Sequence, residues 1–335
     1  MLLGFALTTH CNLRCPHCIR DDVVTVQSLE PELVIRTCDE ARDIFGDVVV
    51  SFTGGEPTLH PGWDQITSAL AERGIPYRLV TNGWHMRRMM PSFDRWPPSF
   101  VRVSLSGATR ETHDTDRGRD SFRRVLLAVA LLTSRRIPTA LSIVIDRRDR
   151  HEVRLAADLA EDLGCLRLHY ILPQPVPGSV ARDSDLAPHE WASVRAEVDE
   201  LAREPHRLTA IQLDYGAPAR DGEPESACAT MSSERVYVDA NGRVSLCCQL
   251  SEYGFTTSDV VADLHEISFH DAWTTYVEAM AELRAKTAPS NVSGGLAAFP
   301  CMRCARALGK LDWLAQGRPS AWQAIAASAQ QLGSL

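Results

Sequence analysis

The chain has 335 residues, 44% hydrophobic and 23% charged, with a formal net charge of −8. This is the composition of an ordinary globular protein, and the acidic balance argues against a general nucleic-acid binder. No stretch reaches the roughly 18 apolar residues that span a bilayer, so no membrane role is expected.

The apolar run Leu2 to Leu7 has no basic segment before it and reads as a buried strand, not a signal peptide. It leads directly into Cys11, Cys15 and Cys18, a CxxxCxxC spacing. Three such thiols can serve a zinc ion or hold three corners of an iron–sulfur cube. Ser28 to Phe45 then shows an apolar face at helical spacing, and Asp47 to Phe52 carries three consecutive valines, as a buried parallel strand does. Gly54-Gly55-Glu56-Pro57 follows that strand. Glycine lets the backbone come close to a ligand, and glutamate offers an acceptor for an ammonium group. His60 to Arg73 is a helix closed by Gly74, with Pro76 just beyond. Tyr77 to Thr81 is a strand ending on Asn82-Gly83, and the segment from Trp84 to Pro98 looks irregular.

Phe100 to Leu105 is the fourth strand and runs into Ser104-Leu105-Ser106-Gly107. Ser121 can cap a helix reaching Arg135. Thr139 to Ile145, Arg150 to Leu163 and Cys165 to Leu172 continue as strand, helix and strand. This alternation predicts a parallel sheet with right-handed crossovers, about six units long and too short for a closed eight-stranded barrel. Pro173 to Gly178 ends the periodic part, and Pro188 to Glu204 is one further helix. Arg235 to Cys247 reads as a hairpin turning on Asn241-Gly242, the preferred type I′ pair. Ser268 to Lys286 is an amphipathic helix, Ser290 to Gly295 a loop, and helical tail segments follow Cys301 and Cys304.

Cys11, Cys15 and Cys18, joined with the downstream GGEP, resemble the radical S-adenosylmethionine (SAM) superfamily. The resemblance implies an open partial (β/α)6 TIM-like barrel at residues 1–215. It also implies one [4Fe–4S] cluster on Cys11, Cys15 and Cys18, with the open iron binding SAM. Gly54, Gly55, Glu56 and Pro57 would receive the methionyl amino group of SAM. His17 would lie near the adenine, or stand as a surface histidine. Asn82, Ser104 and Ser106 would serve the ribose and carboxylate. Many members carry Asp where this chain has Ser106, which weakens that one assignment.

Cys228, Cys247, Cys248, Cys301 and Cys304 all fall in the last third of the chain. A thiol before a hairpin, one at its exit and a distant CxxC resemble the twitch domain, the shortened SPASM extension. The resemblance implies a second [4Fe–4S] cluster on Cys228, Cys247, Cys301 and Cys304, within a small α+β unit at 216–310 and ahead of a helical tail at 311–335. A structural zinc site is the alternative for the same thiols. Strand alternation would send Cys247 and Cys248 to opposite faces, leaving one of them free to face the barrel mouth. Cys38 and Cys165 read as small buried hydrophobes.

The implied chemistry is reductive cleavage of SAM, with electrons from a donor such as flavodoxin or ferredoxin, then hydrogen-atom abstraction from an unactivated carbon. A spare Cys248 favours epimerisation, the thiol returning hydrogen from the opposite face. Dehydrogenation or cross-linking through the second cluster is the alternative, and a non-catalytic metal scaffold is a reading of another class. The first thiol lies so near the start that no leader-gripping domain is expected ahead of it. This points to a small natural product such as an aminosugar, with a peptide as the alternative. Asp214, Asp221, Glu223 and Glu225 could bind a cationic aminosugar, or form a solvated loop. Ten cysteines without a secretory segment suit a cytoplasmic, oxygen-sensitive protein.

Overall fold

In the computed structural model, the described residues are 1–19, 25–171, 186, 188–213, 233–251, 253, 256–288 and 300–312. Cys228, the 290–295 loop, the four acids between 214 and 225 and nearly all of the 311–335 tail lie outside them.

The α/β expectation holds. Strands β1 (Leu2–Thr8), β2 (Val49–Gly54), β3 (Tyr77–Thr81), β4 (Phe100–Leu105), β5 (Thr139–Val144) and β6 (Arg167–Ile171) pair in chain order, all parallel. Between them run α1 (Pro31–Phe45), α2 (Trp63–Glu72), α3 (Met86–Arg95), α4 (Arg110–Arg117), α5 (Ser121–Ser134) and α6 (Val153–Asp162). Alternate strand residues are buried against these helices: Leu79, Val101, Val103 and Leu105 are fully enclosed. Their neighbours Arg78, Arg102 and Ser104 face the other way, into the barrel.

Several elements escaped the sequence reading. The segment that looked irregular contains α3, which buries Met86, Met89, Met90 and Phe93 along one face despite Pro91 inside it. This apolar stripe outweighs the one backbone donor that proline removes. The short, polar α4 follows Gly107 and is capped by Thr109 Oγ1, which accepts from Thr112 N at 3.3 Å. After α7 (Pro188–Ala202), a seventh parallel strand β7 (Ala210–Leu213) joins β6. Its four residues alternate between partly buried and exposed, too short a run for periodicity to register.

The hairpin of β8 (Arg235–Val238) and β9 (Arg243–Ser245) joins the same sheet, because β8 pairs in parallel with β1. With β10 (Val260–Asp263) beside β9, the ten strands run in the order β10-β9-β8-β1-β2-β3-β4-β5-β6-β7. The hairpin turn differs from the type I′ expectation. Gly242 has φ +76, but Asn241 is not left-handed, and Gly242 N donates to Asp239 O at 3.1 Å. The loop is therefore the longer kind that ends in a left-handed glycine. Asp239 Oδ1 sets it by accepting from Asn241 N and Arg243 N, each at 2.9 Å.

Helix α8 (Phe269–Thr287) begins where expected, with Ser268 Oγ accepting from Asp271 N. It packs on α1, where Phe45 meets Trp273 edge-on with ring centroids 4.9 Å apart. Helix α9 (Pro300–Ala307) packs on α8 and carries Cys301 and Cys304. The C-terminal segment is thus held twice, by sheet pairing at β1 and by helix packing at α1.

Candidate active site

The loop after β1 carries Cys11, Cys15 and Cys18, all half-buried. Cys18 N donates to Cys15 O at 3.0 Å, and Leu13 N reaches Cys11 Sγ at 3.4 Å. Burial pushes the Cys11 thiol up to about 11, and the nearby Glu56, Cys15 and Cys18 add to the rise, partly offset by the Leu13 amide. A metal cation at Cys11 would offset this cost and favour the thiolate. Among the described residues, no three His, Cys, Asp or Glu side chains converge on a single ion. A cube does not require that, since each thiolate binds a different iron. Three thiols on one short loop, with amides aimed at sulfur, fit such a group.

The Gly54-Gly55-Glu56 segment is built against this loop. Gly55 N donates to Thr8 O at 2.7 Å and Glu56 N to His10 O at 2.8 Å. A Cβ on Gly54, where φ is +129, would collide with Thr8 O, and one on Gly55 with His10 O. The glycines therefore admit the backbone of the thiol loop. Glu56 is buried and its carboxylate is fully engaged. Oε1 accepts from Thr58 N, Thr58 Oγ1 and Thr81 Oγ1, and Oε2 accepts from Asn82 N at 2.8 Å. Burial raises its proton affinity despite those four donors. Pro57 opens a 3₁₀ turn, Pro57–Leu59, and is buried. Asn82 directs its side-chain amide to Asn12 Oδ1 at 3.0 Å and to Cys11 Sγ at 3.9 Å, so the end of β3 also touches the thiol loop.

Ser104 and Ser106 part company. Ser104 faces a cavity of about 400 Å³, whereas Ser106 is buried behind it. Ser106 N donates to His113 Nδ1 at 3.2 Å, and Ser106 Oγ accepts from Arg117 Nε at 2.6 Å. Burial, then the Arg117 charge, pushes His113 down to about 3, so it is neutral at any ordinary pH. Arg117 itself is buried and lines the cavity. The sequence singles out no arginine for this site. The signal for Arg117 was its place one turn after His113 on a helix that the periodicity did not reveal. His17 also lines the cavity and pairs with Asp116 at 3.5 Å. Burial works to raise Asp116, but the hydrogen bond and charge of His17 and the Arg148 guanidinium outweigh it, and its carboxyl stays below the ordinary range.

Cys247 and Cys248 do not sit on a strand, which corrects the alternation argument. β9 ends at Ser245, and Leu250 N and Ser251 N both fold back onto Cys247 O. The two thiols are hydrogen-bonded to each other. That contact first, and then burial, raises Cys247 well above its ordinary range, with Cys301 close enough to add to the rise. The backbone still divides them. Cys247 packs with Cys301 and Cys304 on the main core, whereas Cys248 packs on Ala6, Tyr237 and Ala240. Cys248 and Cys301 both line the cavity, as do His17 and Cys18 from the first thiol loop. One chamber therefore reaches both sets of cysteines. Gly54, Gly55, Glu56 and Asn82 contact the thiol loop or the residues leading into it, and these four, with Pro57 and Ser106, lie outside the cavity wall.

Residues 5–160 match the model of a family described as the Radical SAM superfamily. The chain is 26% identical over 211 residues to the AdoMet-dependent heme synthase of Methanosarcina barkeri, spanning 61% of this chain and 59% of that protein. It is 30% identical over 256 residues to the probable GTP 3′,8-cyclase of Saccharolobus islandicus strain L.S.2.15, spanning 73% and 82% respectively. Among solved structures, Streptococcus suis SuiB bound to S-adenosylmethionine superposes with a TM-score of 0.70 at 15% identity, over 84% of this chain and 67% of that one. Native anSMEcpe with bound AdoMet superposes with a TM-score of 0.65 at 16% identity, over 84% and 82%.

Proposed function

Because the chain belongs to the radical SAM superfamily, we propose that its barrel cavity is a chamber for hydrogen-atom abstraction followed by return of hydrogen from Cys248, inverting one carbon of the substrate. The observation that carries this reading is the placement of Cys248 in the same cavity as His17 and Cys18. When bound, a reduced [4Fe–4S] cluster and SAM together supply a 5′-deoxyadenosyl radical.

Cys11, Cys15 and Cys18 would hold that cluster, and Asn82 donates a hydrogen bond towards Cys11 sulfur. Arg117, locked by Ser106 Oγ, offers a guanidinium fork for the SAM carboxylate. Ser104 serves the ribose side, and His17, fixed by Asp116, the adenine side. Glu56 ties the end of β3 to the thiol loop and, with Gly54 and Gly55, would form the site that receives the methionyl amino group. Cys247, Cys301 and Cys304, with Cys228, would hold a second cluster. A flavodoxin or ferredoxin would supply electrons.

Inversion proceeds by loss of one hydrogen atom from carbon to the radical and gain of one from the Cys248 thiol. The sulfur radical left behind takes one electron from the reductant and one proton from solvent. Cys301 also lines the cavity, which favours a second reading: a second cluster held in part by Cys301 would accept the electron that the substrate radical gives up, its proton would go to solvent, and the product would leave two hydrogens lighter.

The first test is SAM cleavage. Anaerobically reconstituted protein should carry about eight iron, and with dithionite it should release 5′-deoxyadenosine. Replacing Cys11, Cys15 and Cys18 together by Ala should abolish release and halve the iron. Protein that binds full iron yet leaves SAM intact overturns the assignment.

The second test separates inversion from oxidation. Turnover in heavy water should place deuterium at the inverted carbon. Cys248→Ala should still abstract hydrogen but fail to quench with inversion, while Cys247→Ala should lose iron from the second group. A product two hydrogens lighter than the substrate selects oxidation.

A further inference from the structure

We infer that Glu152, just before α6, is a positioning residue for SAM: it holds the N-terminal end of α4 and so sets the place of Arg117 in the cavity wall. The inference rests on the assignment of Arg117 to the SAM carboxylate and names the residue through which that arginine is held.

Helix α4 reads Arg-Glu-Thr-His-Asp-Thr-Asp-Arg, and only His113 and Arg117 in it are buried. A helix this short does not hold itself in water, and one that is polar all round has no apolar stripe to press onto a core. Its position therefore depends on individual polar contacts. In its middle, His113 Nδ1 accepts from Ser106 N. Asp114 accepts from Ser121 Oγ and Phe122 N, which ties it to the start of α5.

Two further contacts come from one loop, the connection between β5 and α6. Glu152 is 4% exposed and sits against the beginning of α4. Its Oε2 accepts from Ala108 N at 2.6 Å and from Thr112 Oγ1 at 2.9 Å, and its Oε1 from Thr109 Oγ1 at 3.1 Å. Three donors from the approach and first turn of α4 thus converge on one carboxylate, which also meets the positive end of the helix. Arg148, in the same loop, pairs with Asp116 Oδ1 at 2.8 Å, and Asp116 in turn pairs with His17. The loop grips α4 at both ends.

The consequence falls at the cavity, because Arg117 is the last residue of α4 and lines it. Without the Glu152 carboxylate, the buried Ala108 amide loses its acceptor, and the start of the helix must move to find another. A guanidinium fork binds a carboxylate in one plane and at one distance, so a displacement of about 1 Å is enough to lose the pairing.

The test is calorimetric SAM binding to the reconstituted holoenzyme without reductant, with iron content and thermal unfolding measured on each preparation. Glu152→Ala should weaken SAM binding tenfold or more at unchanged iron. Glu152→Gln should bind nearly as the parent does, because the amide oxygen can take the Oε2 place and keep Ala108 N and Thr112 Oγ1 satisfied. Thr112→Val removes one donor at nearly constant shape and should weaken binding by a smaller factor, threefold or more. Tyr170→Phe removes the hydrogen bond from Tyr170 to Val153 O at the same end of α6 and should bind SAM as the parent does. Arg117→Gln should also weaken binding, and adding Glu152→Ala to it should cost little more, since both act on one contact.

Losses that multiply in the double variant overturn the inference, because Glu152 would then act elsewhere. So do Glu152→Ala or Thr112→Val proteins that bind as the parent does, or a Glu152→Gln protein as weak as Glu152→Ala. A Tyr170→Phe protein that loses SAM equally overturns it too, since the effect would then be general destabilisation. A parent that binds no SAM overturns the reading of the cavity as well, whereas a parent that binds it beside unaffected variants overturns the role of Glu152 alone.

Discussion

Asp149 has an environment that its sequence position does not announce. It is buried beside the 3₁₀ turn Arg150–Glu152, and its Oδ1 accepts from Asp146 N at 2.7 Å. Burial, then the Asp146 charge, pushes its carboxyl up to about 7. A carboxyl with a raised folded pKa binds its proton more tightly in the native state. Its contribution to stability is therefore present below the unfolded value and is lost as pH rises through about 7. Asp149→Asn keeps the acceptor and removes the titration. The variant should gain stability relative to the parent between pH 5 and pH 8, by at most about 1.4 kcal/mol per pH unit. Thermal unfolding at the two pH values checks this, and a difference that does not change with pH rules it out.

The tail of β2 and the thiol loop form one unit, joined by backbone hydrogen bonds from Gly55 and Glu56 to Thr8 and His10. Gly55→Ala would drive a Cβ into His10 O, a rigid backbone atom. The expected cost is about 2–3 kcal/mol, with loss of iron from the first thiol group because the loop must shift. Gly74→Ala makes the control. Gly74 has φ +64 but nothing within 4 Å of an added Cβ, so only the backbone strain of about 1–2 kcal/mol applies, with no change in iron. Thermal melts and iron assays on both variants check the contrast. Equal effects would mean that conformation, not contact, explains the glycine.

Across the whole molecule, the end of the described chain is tied to the hairpin through Lys310. Its ammonium is enclosed, 2.6 Å from Asp259 Oδ1 and 2.8 Å from the carbonyls of Tyr253 and Thr256. Asp259 in turn accepts from Ser245 Oγ, and Ser245 immediately precedes the Leu246-Cys247 exit of β9. The pair thus fixes the approach of α9 and its two cysteines to Cys247. Lys310→Met leaves a buried carboxylate uncompensated and should cost about 3–5 kcal/mol. Adding Asp259→Asn should restore much of that loss. Denaturant unfolding of the single and double variants checks the coupling, and strictly additive effects would refute it.

Local pattern determined a good deal of this protein. The thiol spacing, the glycine pair, the run of strands β1 to β6 and the hairpin were all legible, because each depends on residues near one another in the chain. Periodicity failed where an element was very short, as in β7, or polar, as in α4, or interrupted by proline, as in α3. The wider arrangement needed the tertiary structure. Arg78, Arg102 and Arg235 look like scattered surface charge in sequence, and only sheet register turns them into one chamber. Cys248 shares that chamber with Cys18 because β8 pairs with β1, a contact between residues more than two hundred positions apart. Glu56 meets Thr81 and Asn82 for the same reason, through packing between successive strands. Distances of this kind are set by how strands pair and helices pack, and no local periodicity encodes them.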